Sequence, residues 1–456
     1  MQLTSASRDQ PRYARFRFRL AVIAIVAAPC LAPSAASGRR AARADAEAAP
    51  QDQSDPFADE GESRSEAKTE TEEDAEPPKV EVRTRAEVSR GGNLSVRAST
   101  EVSAYSDTDA VHVLSPTVAG SVSDEVAGWS VGGSYLVDAV SAASVDIVST
   151  ASAHWVERRQ VGAGSASFKL GPSAVALSGN YSREPDYLSI GGGGVISFEL
   201  AEKNVMPFVG GSYGHDLVGR TGDPMDIWPE LNKVSLKAGV TFVVNRSTIA
   251  SLSFDEIMER GYLAKPYRYL PVVAPGAGSQ IPPGASVDLV KSLNVYSVAE
   301  NVPTERNRSA LSGRLAYRSA HATFRGDQRL YHDSWELLAS TTDIHEFIDV
   351  GSRMLVWPHL RAHVQNGVTF WRRVIEQLPN TAGPAGIPTY RAGDRELGPL
   401  YTLTAGMGTK IRLNSDIRSP WTLSFQVDGM YTRYLDAIYI SRRWALFSAL
   451  GVEAAF

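Results

Sequence analysis

A strict alternation of apolar and polar residues recurs along this chain from about residue 93 onward, and it limits the fold more than any other feature. In KVSLKAGVTFVV, every second residue from Val234 to Val244 is apolar, whereas the alternate residues from Ser235 to Thr241 are small or polar. The segments YTLTAGMGTKIRL and TLSFQVDGMYTRY repeat the pattern. Because successive side chains of a β-strand point to opposite faces, each segment predicts a strand with one apolar face.

Two architectures share this pattern: a soluble β-sandwich with its apolar faces inward, and a membrane β-barrel with its apolar face outward. The length of the segments separates the two. They run for about 10 to 14 residues before a break, whereas sandwich strands average about five to six, and a tilted strand crosses a bilayer in about 9 to 11. The alternation therefore predicts an all-β fold, a transmembrane antiparallel β-barrel.

The breaks predict about sixteen strands, an even number that places both ends of the barrel on one side of the membrane. Connections after even-numbered strands are mostly short, and the long ones follow odd-numbered strands, near residues 138–158, 216–231, 259–304 and 374–397. Short periplasmic turns and long outer loops are typical of outer-membrane barrels. The predicted strands lie near residues 93–104, 110–122, 126–137, 159–170, 173–183, 187–199, 204–215, 232–244, 246–258, 305–317, 321–333, 335–348, 353–373, 398–412, 421–434 and 441–456.

The N-terminus carries an export signal. Several arginines precede a short apolar run from Leu20 to Ala28, which predicts a signal peptide over residues 1–36 with cleavage after Ala36. A retained anchor is the alternative, but the run is far shorter than the roughly 20 residues of a transmembrane helix. Cys30 is the only cysteine, so it is either removed with the signal peptide or lipidated.

Between the signal peptide and the barrel, residues 37–90 are rich in Ala, Asp and Glu and contain almost no aromatic residues. Such a segment buries too little surface to offset the entropy of ordering it. We predict a disordered acidic periplasmic tail here, followed by the barrel over residues 91–456. The tail is either a spacer or a docking arm for a basic periplasmic protein.

Composition excludes several classes of function. The formal net charge is -5 and no basic patch interleaved with aromatic residues is present, so we expect no nucleic-acid partner. The run of glycines at 191–194 lacks the Lys-Ser/Thr pair of a phosphate-binding loop. We predict no cofactor.

The last segment, WALFSALGVEAAF, has its more apolar face on alternate residues from Trp444 to Phe456. In a closed barrel the last strand pairs with the first and lipid covers that face. The terminal Phe456 resembles the signal read by bacterial barrel-assembly machinery, so this machinery and outer-membrane lipid are the expected partners. The expected location is the outer membrane of a Gram-negative bacterium.

Several long blocks resemble one bacterial family. They include GYLAKPYRYLPVV from Gly261, NVPTERNRSALSGRLAYR, RLYHDSWELLASTTDIHEF and VWPHLRAHVQNGVTFWRR, with SYLVDAVSAASVDIVSTAS and SREPDYLSI before them. The chain resembles domain of unknown function 3570 (DUF3570), a family of outer-membrane proteins, over most of Glu101–Phe456. The resemblance implies a barrel without known catalytic residues, and an extracytoplasmic redox or flavin-related setting for any periplasmic partner.

Charged residues share one face of several predicted strands, which places them in the lumen, because the alternate residues are apolar. They either set up a transverse field that selects solutes or form a network of ion pairs that fills the interior. His359 and His363 could also bind a metal with a third ligand from His332 or His345, although a polar lumen wall is the simpler interpretation. The predicted lumen-lining residues are Arg314, Arg318, Arg325, Asp327, Arg329, Asp333, His359, Arg361 and His363.

The segment from about Glu259 to Pro303 is expected to be a long, proline-rich, structureless loop. Such loops in barrels often fold into the mouth and narrow it, and a surface lid is the alternative. The residues predicted to line a constriction there are Tyr262, Tyr267, Arg268 and Tyr269.

Three functions remain open. The first is a porin-like channel for small solutes, since barrels of this size can enclose water. The second is a plugged barrel that acts as an envelope scaffold or binds a periplasmic protein. The third is an outer-membrane hydrolase built on Ser334, but its neighbours His332 and Asp333 alternate in direction along a strand and cannot form a triad with it unless the chain turns there. We therefore expect no enzyme activity.

Overall fold

A computed structural model of the protein describes residues 94–142, 155–377, 386–415 and 419–456. The predicted signal peptide and acidic tail lie outside these residues. Within them, sixteen antiparallel strands close into one barrel. No helix in the described part of the chain is long and apolar enough to cross a membrane.

The barrel strands are β1 (Leu94–Asp107), β2 (Val111–Asp124), β3 (Trp129–Ala142), β4 (Trp155–Leu170), β5 (Ser173–Arg183), β6 (Tyr187–Phe198), β7 (Val205–Val218), β8 (Glu230–Asn245), β9 (Thr248–Gly261), β12 (Glu305–Arg318), β13 (Ala322–Asp333), β14 (Leu338–Val350), β15 (Met354–Gln365), β17 (Leu400–Arg412), β18 (Trp421–Tyr434) and β19 (Arg442–Ala455). The predicted strand number and order are confirmed.

Closure joins the first strand to the last. Strand β1 pairs with β19 in antiparallel register from Arg97 opposite Ala455 to Asp107 opposite Ala445. Phe456 extends the seam, because its backbone N–H and C=O bond to Val96 at 2.8 and 3.0 Å. Every barrel strand therefore has two partners and no edge is left unpaired.

The two faces of the barrel differ as the alternation predicts. Large apolar side chains such as Leu315, Leu330 and Leu360 are 45 to 61% exposed on the outer surface. The residues between them face inward and are mostly small, polar or charged. An apolar exterior and a polar interior are the arrangement of a transmembrane barrel and the reverse of a soluble one.

The barrel has a short-turn end and a long-loop end. The start of β1 and the end of β19 lie at the short-turn end, and the long connections 262–304 and 366–399 lie at the other. These connections form what we call the cap. It contains a helix α1 (Val287–Leu293) and a separate sheet of order β11-β10-β16. The strands of this sheet are β10 (Tyr269–Val273), β11 (Asn294–Ala299) and β16 (Ile375–Glu376).

Two sequence expectations about the cap are wrong. The segment expected to be structureless holds β10, α1 and β11, and Leu270, Val272 and Val273 are at most 1% exposed. The strand expected over 353–373 ends at Gln365, and next to it the side chain of Asn366 accepts from the backbone N–H of Leu338 at 2.7 Å. The apolar residues after it pack in the cap and do not face lipid.

Candidate functional site

The interior of the barrel has two unlike walls. Strand β14 lies eight strands from β4 in either direction around the ring, so the wall around β4 faces the wall around β14. The wall of β3–β7 presents small side chains near its middle, among them Gly132, Ser134, Ala163, Ser165, Ser178, Gly193, Gly210 and Ser212. The wall of β12–β15 presents three histidines, four aspartates and seven arginines, the arginines being Arg306, Arg308, Arg314, Arg318, Arg325, Arg329 and Arg361. The wall of β3–β7, with its small side chains, leaves space in the lumen, and the wall of β12–β15 supplies charge.

Most of the arginines predicted to line the lumen are paired. Asp327 accepts from Arg314 Nε at 2.5 Å through one carboxylate oxygen and from Arg325 Nε at 2.7 Å through the other. Arg329 Nη1 lies 3.1 Å from Asp255 on β9. Arg318 Nη1 lies 3.1 Å from Asp349 on β14. These contacts tie β9, β12, β13 and β14 together across the inner face, as the ion-network interpretation expects.

Arg361 differs from the other arginines of this wall. It projects inward from β15, directly opposite Asp343 on β14, and its side chain is exposed. Its guanidinium makes no hydrogen bond or ion pair with another residue that the structure describes. Arg361 is therefore available to a solute in the lumen.

Asp333, also predicted to line the lumen, is buried at the long-loop end and is 1% exposed. Its carboxylate accepts from Arg306, from the hydroxyl of Tyr331 and from the backbone N–H groups of Trp335 and Leu337. It anchors the turn between β13 and β14 and does not contact the passage.

His359 is part of a cluster of histidine and aspartate side chains on the inner face of β14, β15 and β18. Its Nε2 lies 3.0 Å from Asp343 Oδ1, and the Nε2 of His345 lies 2.9 Å from the same oxygen. The two imidazole rings stack with centroids 4.2 Å apart. On its other side, His359 Nδ1 lies 3.2 Å from Asp428 Oδ1.

The other two histidines considered as ligands are not in this cluster. His363 Nδ1 lies 2.8 Å from Thr341 Oγ1, and its Nε2 lies 3.1 Å from Gln365 Oε1. His332 projects from the outer face of β13. Asp343 and Asp428 were missed, although the Asp-X-His spacing in TTDIHEF places Asp343 and His345 on one face of a strand.

The cap connects two sides of the mouth that lie six strands apart in the ring of sixteen. On one side, Tyr267 OH accepts from the backbone N–H of Thr221 at 2.7 Å, in the connection between β7 and β8. On the other, Arg395 Nη1 lies 2.8 Å from Asp109 Oδ2 in the turn between β1 and β2. Arg268 joins the two halves by an ion pair with Asp394.

The residues predicted to form a constriction therefore have contacts within the cap. Tyr269 OH accepts from Arg220 Nη2 at 3.2 Å, and Tyr262 packs against the buried cluster around Trp335 and Phe370. Burial raises the pKa of Tyr262 and of Tyr267 above the ordinary value of tyrosine, so both hydroxyls stay neutral. The three tyrosines hold the cap to the barrel rim, and Arg268 joins the two halves of the cap.

No hydrolase triad forms around Ser334. Its Oγ accepts from the backbone N–H of Asn307 at 3.0 Å, the Asp333 carboxylate is occupied by Arg306 and Tyr331, and His332 faces outward.

A family model described as protein of unknown function (DUF3570) matches residues 229–434. The family resemblance is confirmed over this segment. Residues 229–434 contain both the wall of β12–β15 and the cap. No curated protein matches the sequence significantly.

Solved structures of similar shape are outer-membrane barrels at low identity. CdiB from Acinetobacter baumannii is 10% identical with a TM-score of 0.40, over 80% of this chain and 60% of that one. OccK2 (OpdF) from Pseudomonas aeruginosa, solved in complex with glucuronate, is 7% identical with a TM-score of 0.39, over 80% of this chain and 98% of that one. The CymD monoaromatic hydrocarbon channel is 8% identical with a TM-score of 0.37, over 80% and 89%.

The chain spans 60% of the length of CdiB and 56% of the siderophore receptor PirA from Pseudomonas aeruginosa. At these scores the likeness carries no argument about the function of this chain.

Proposed function

We propose that this protein is a porin-like channel that passes small anionic solutes across the outer membrane of a Gram-negative bacterium. One observation carries the proposal. A wall of small side chains faces a wall rich in arginine, and on that second wall Arg361 is exposed and its guanidinium makes no hydrogen bond or ion pair with another described residue. The apolar outer surface supports the location in a membrane.

The sign of the selectivity follows from the charges. Among the inward residues of β12–β15 there are seven arginines and four aspartates, and two β9 carboxylates, Asp255 and Glu259, pair with Arg329 and Arg308, which leaves an excess of one positive charge. Asp327 is shared by two of these arginines, and Arg361 is the one among the seven whose guanidinium forms no ion pair with a described carboxylate. Rings or ladders of arginine attract anions at the narrow part of a pore, where low-dielectric walls strengthen the field.

The cap supports a second candidate, the plugged barrel. Its sheet has fully buried residues, and its ion pairs reach from the β7–β8 connection to the β1–β2 turn. A cap held in this way covers part of the mouth. A scaffold or a partner of a periplasmic protein would use it as a permanent seal, whereas a channel would leave a gap beside the small wall.

Planar-bilayer recording of the purified full chain distinguishes these functions. We expect discrete conductance steps and, in a KCl gradient, a reversal potential that shows preference for chloride. Arg361→Gln should reduce that preference by removing the exposed guanidinium. The matched control is Arg158→Gln, since Arg158 lies on the outer face of β4 and should leave selectivity unchanged.

Absence of steps above background would contradict the channel and favour the plugged barrel. Steps with preference for potassium would contradict the anionic solute while leaving a channel in place.

A further inference from the structure

The cluster of Asp343, His345 and His359 has the composition and spacing of a metal-binding site in the lumen wall. Asp343 and His345 are two residues apart on β14, and His359 stands directly opposite His345 on β15. One ligand atom from each lies within 4.8 Å of the others. We propose that these three residues bind one divalent transition-metal ion such as Zn²⁺.

The contacts inside the cluster are short enough for hydrogen bonds but do not have the geometry of hydrogen bonds. Asp343 Oδ1 approaches both Nε2 atoms at 2.9 and 3.0 Å. Asp343 Oδ1 and His359 Nε2 are nevertheless buried atoms without a hydrogen-bond partner among the described residues. Buried polar atoms left without such bonds are costly, and a cation between them would satisfy both.

A carboxylate outside the cluster orients His359. Its Nδ1 lies 3.2 Å from Asp428 Oδ1, and Gln426 donates to the other oxygen of Asp428 at 2.7 Å. A metal-bound histidine usually donates its second ring N–H to a carboxylate, which fixes the tautomer and the ring orientation. Asp428 supplies this carboxylate and leaves Nε2 of His359 directed at Asp343.

Gly406 makes that contact possible. Strand β17 runs between β15 and β18, and Gly406 stands opposite both His359 and Asp428. The carboxylate of Asp428 occupies the space in which a Cβ at position 406 would lie. Only glycine at this position lets Asp428 reach across β17 to His359.

The ligand set limits the metal. Two imidazoles and one carboxylate suit Zn²⁺ and neighbouring transition metals, whereas Mg²⁺ and Ca²⁺ prefer sites made of oxygen atoms alone. Tetrahedral zinc with bonds of about 2.0 to 2.1 Å uses four ligands, so three protein ligands leave one position open to the lumen. The site would therefore hold the ion and an exchangeable water or anion.

Two arginines flank the cluster and influence that open position. Arg361 stands opposite Asp343, and Arg325 stands opposite His345 while paired with Asp327. Their charge disfavours an isolated cation, and Asp343 and Asp428 offset it. Together they favour a bound anion, such as chloride or a carboxylate, as the fourth ligand.

Titration calorimetry with Zn²⁺ on the full chain in detergent, after treatment with a chelator, tests the site. We expect one tight site per chain, weakened at least 100-fold in His359→Gln and in Asp343→Asn. The matched control is His363→Gln, because His363 is on the same face of β15 but outside the cluster. Asp428→Asn should weaken binding by about 10- to 100-fold, as the loss of an outer-shell carboxylate does.

X-ray absorption at the zinc edge should show two imidazole nitrogens in the wild type. Resistance of each variant to protease in detergent confirms that the barrel is closed. Absence of a tight site in the wild type, or equal affinity in His359→Gln and wild type, would overturn the proposal. Because binding is measured without a conductance assay, failure of the proposed channel function leaves this test intact.

Discussion

At the scale of single residues, the interior shows how burial changes the value of a charge pair. Arg306 and Asp333 are both buried, and the guanidinium of Arg306 also lies 4.2 Å over the ring of Trp335. Arg318 and Asp349 form a similar pair, but their side chains are 39 and 36% exposed to the lumen. Removing one partner of a buried pair leaves an unpaired charge that cannot reach water. An exposed pair is screened and contributes little.

We predict that Asp333→Ala lowers the free energy of unfolding by about 3 to 5 kcal/mol, because it leaves buried Arg306 and the backbone N–H groups of the β13–β14 turn without their acceptor. Asp349→Ala should cost about 0 to 1 kcal/mol. Urea unfolding in detergent micelles, followed by tryptophan fluorescence, measures both. Equal losses in the two variants would show that burial does not decide the difference.

At the scale of elements, the turn between β5 and β6 at the long-loop end contains a partly buried acidic side chain. The turn between β5 and β6 contains Glu184, which lies 3.4 Å from Arg159 Nε. Burial nevertheless raises the pKa of Glu184 above the ordinary glutamate value, and the Arg159 charge opposes that shift only in part. The folded turn therefore binds a proton more tightly than the unfolded chain does.

The sign of the pH dependence follows from linkage. A raised pKa in the folded state means that stability falls as pH rises from the unfolded pKa through the folded pKa of Glu184. We predict that Glu184→Gln removes this part of the decline in stability. The stability of the variant relative to the wild type therefore increases as pH rises above about 4.3. Hydrogen exchange of the β5–β6 turn at several pH values measures it. A wild-type turn that becomes more protected as pH rises through this range would contradict the sign.

At the scale of the whole molecule, the barrel and the cap are separable. The barrel is closed by its own sixteen-strand ladder, whereas the strands β10, β11 and β16 pair only with each other. The segment that carries β10 and β11 begins and ends at one place, because the backbone N–H of Glu300 bonds to the C=O of Arg268 at 2.9 Å. A short linker can therefore replace the segment between them without moving β9 or β12.

We predict that replacing residues 269–299 by a short Gly-Ser linker leaves the barrel closed and raises its conductance several-fold, because part of the covering over the mouth is removed. Protease resistance in detergent checks that the barrel is intact, and planar-bilayer recording measures the conductance. Unchanged conductance in an intact barrel would show that this part of the cap does not limit passage.

Features that depend on neighbouring residues in the chain were predictable from the sequence, whereas features that depend on pairing between distant segments were not. Alternation is local, so segments such as KVSLKAGVTFVV predict a strand, its apolar face and, through their length, a membrane barrel. The inward direction of Arg314, Asp327 and His359 follows from the same period of two. The sequence does not reveal the cap sheet, since β10 and β16 are separated by about a hundred residues and each is too short to show a period.

By itself, the sequence determined the closed barrel with its outer and inner faces, because a two-residue period and a strand length are properties of contiguous residues. Only the tertiary structure decided which inward residues meet. Asp428 reaches His359 across Gly406 because two strand registers align them, and Asp333 is buried because the cap covers it. Registers and coverage depend on pairing between distant segments, and no local pattern along the chain records that pairing.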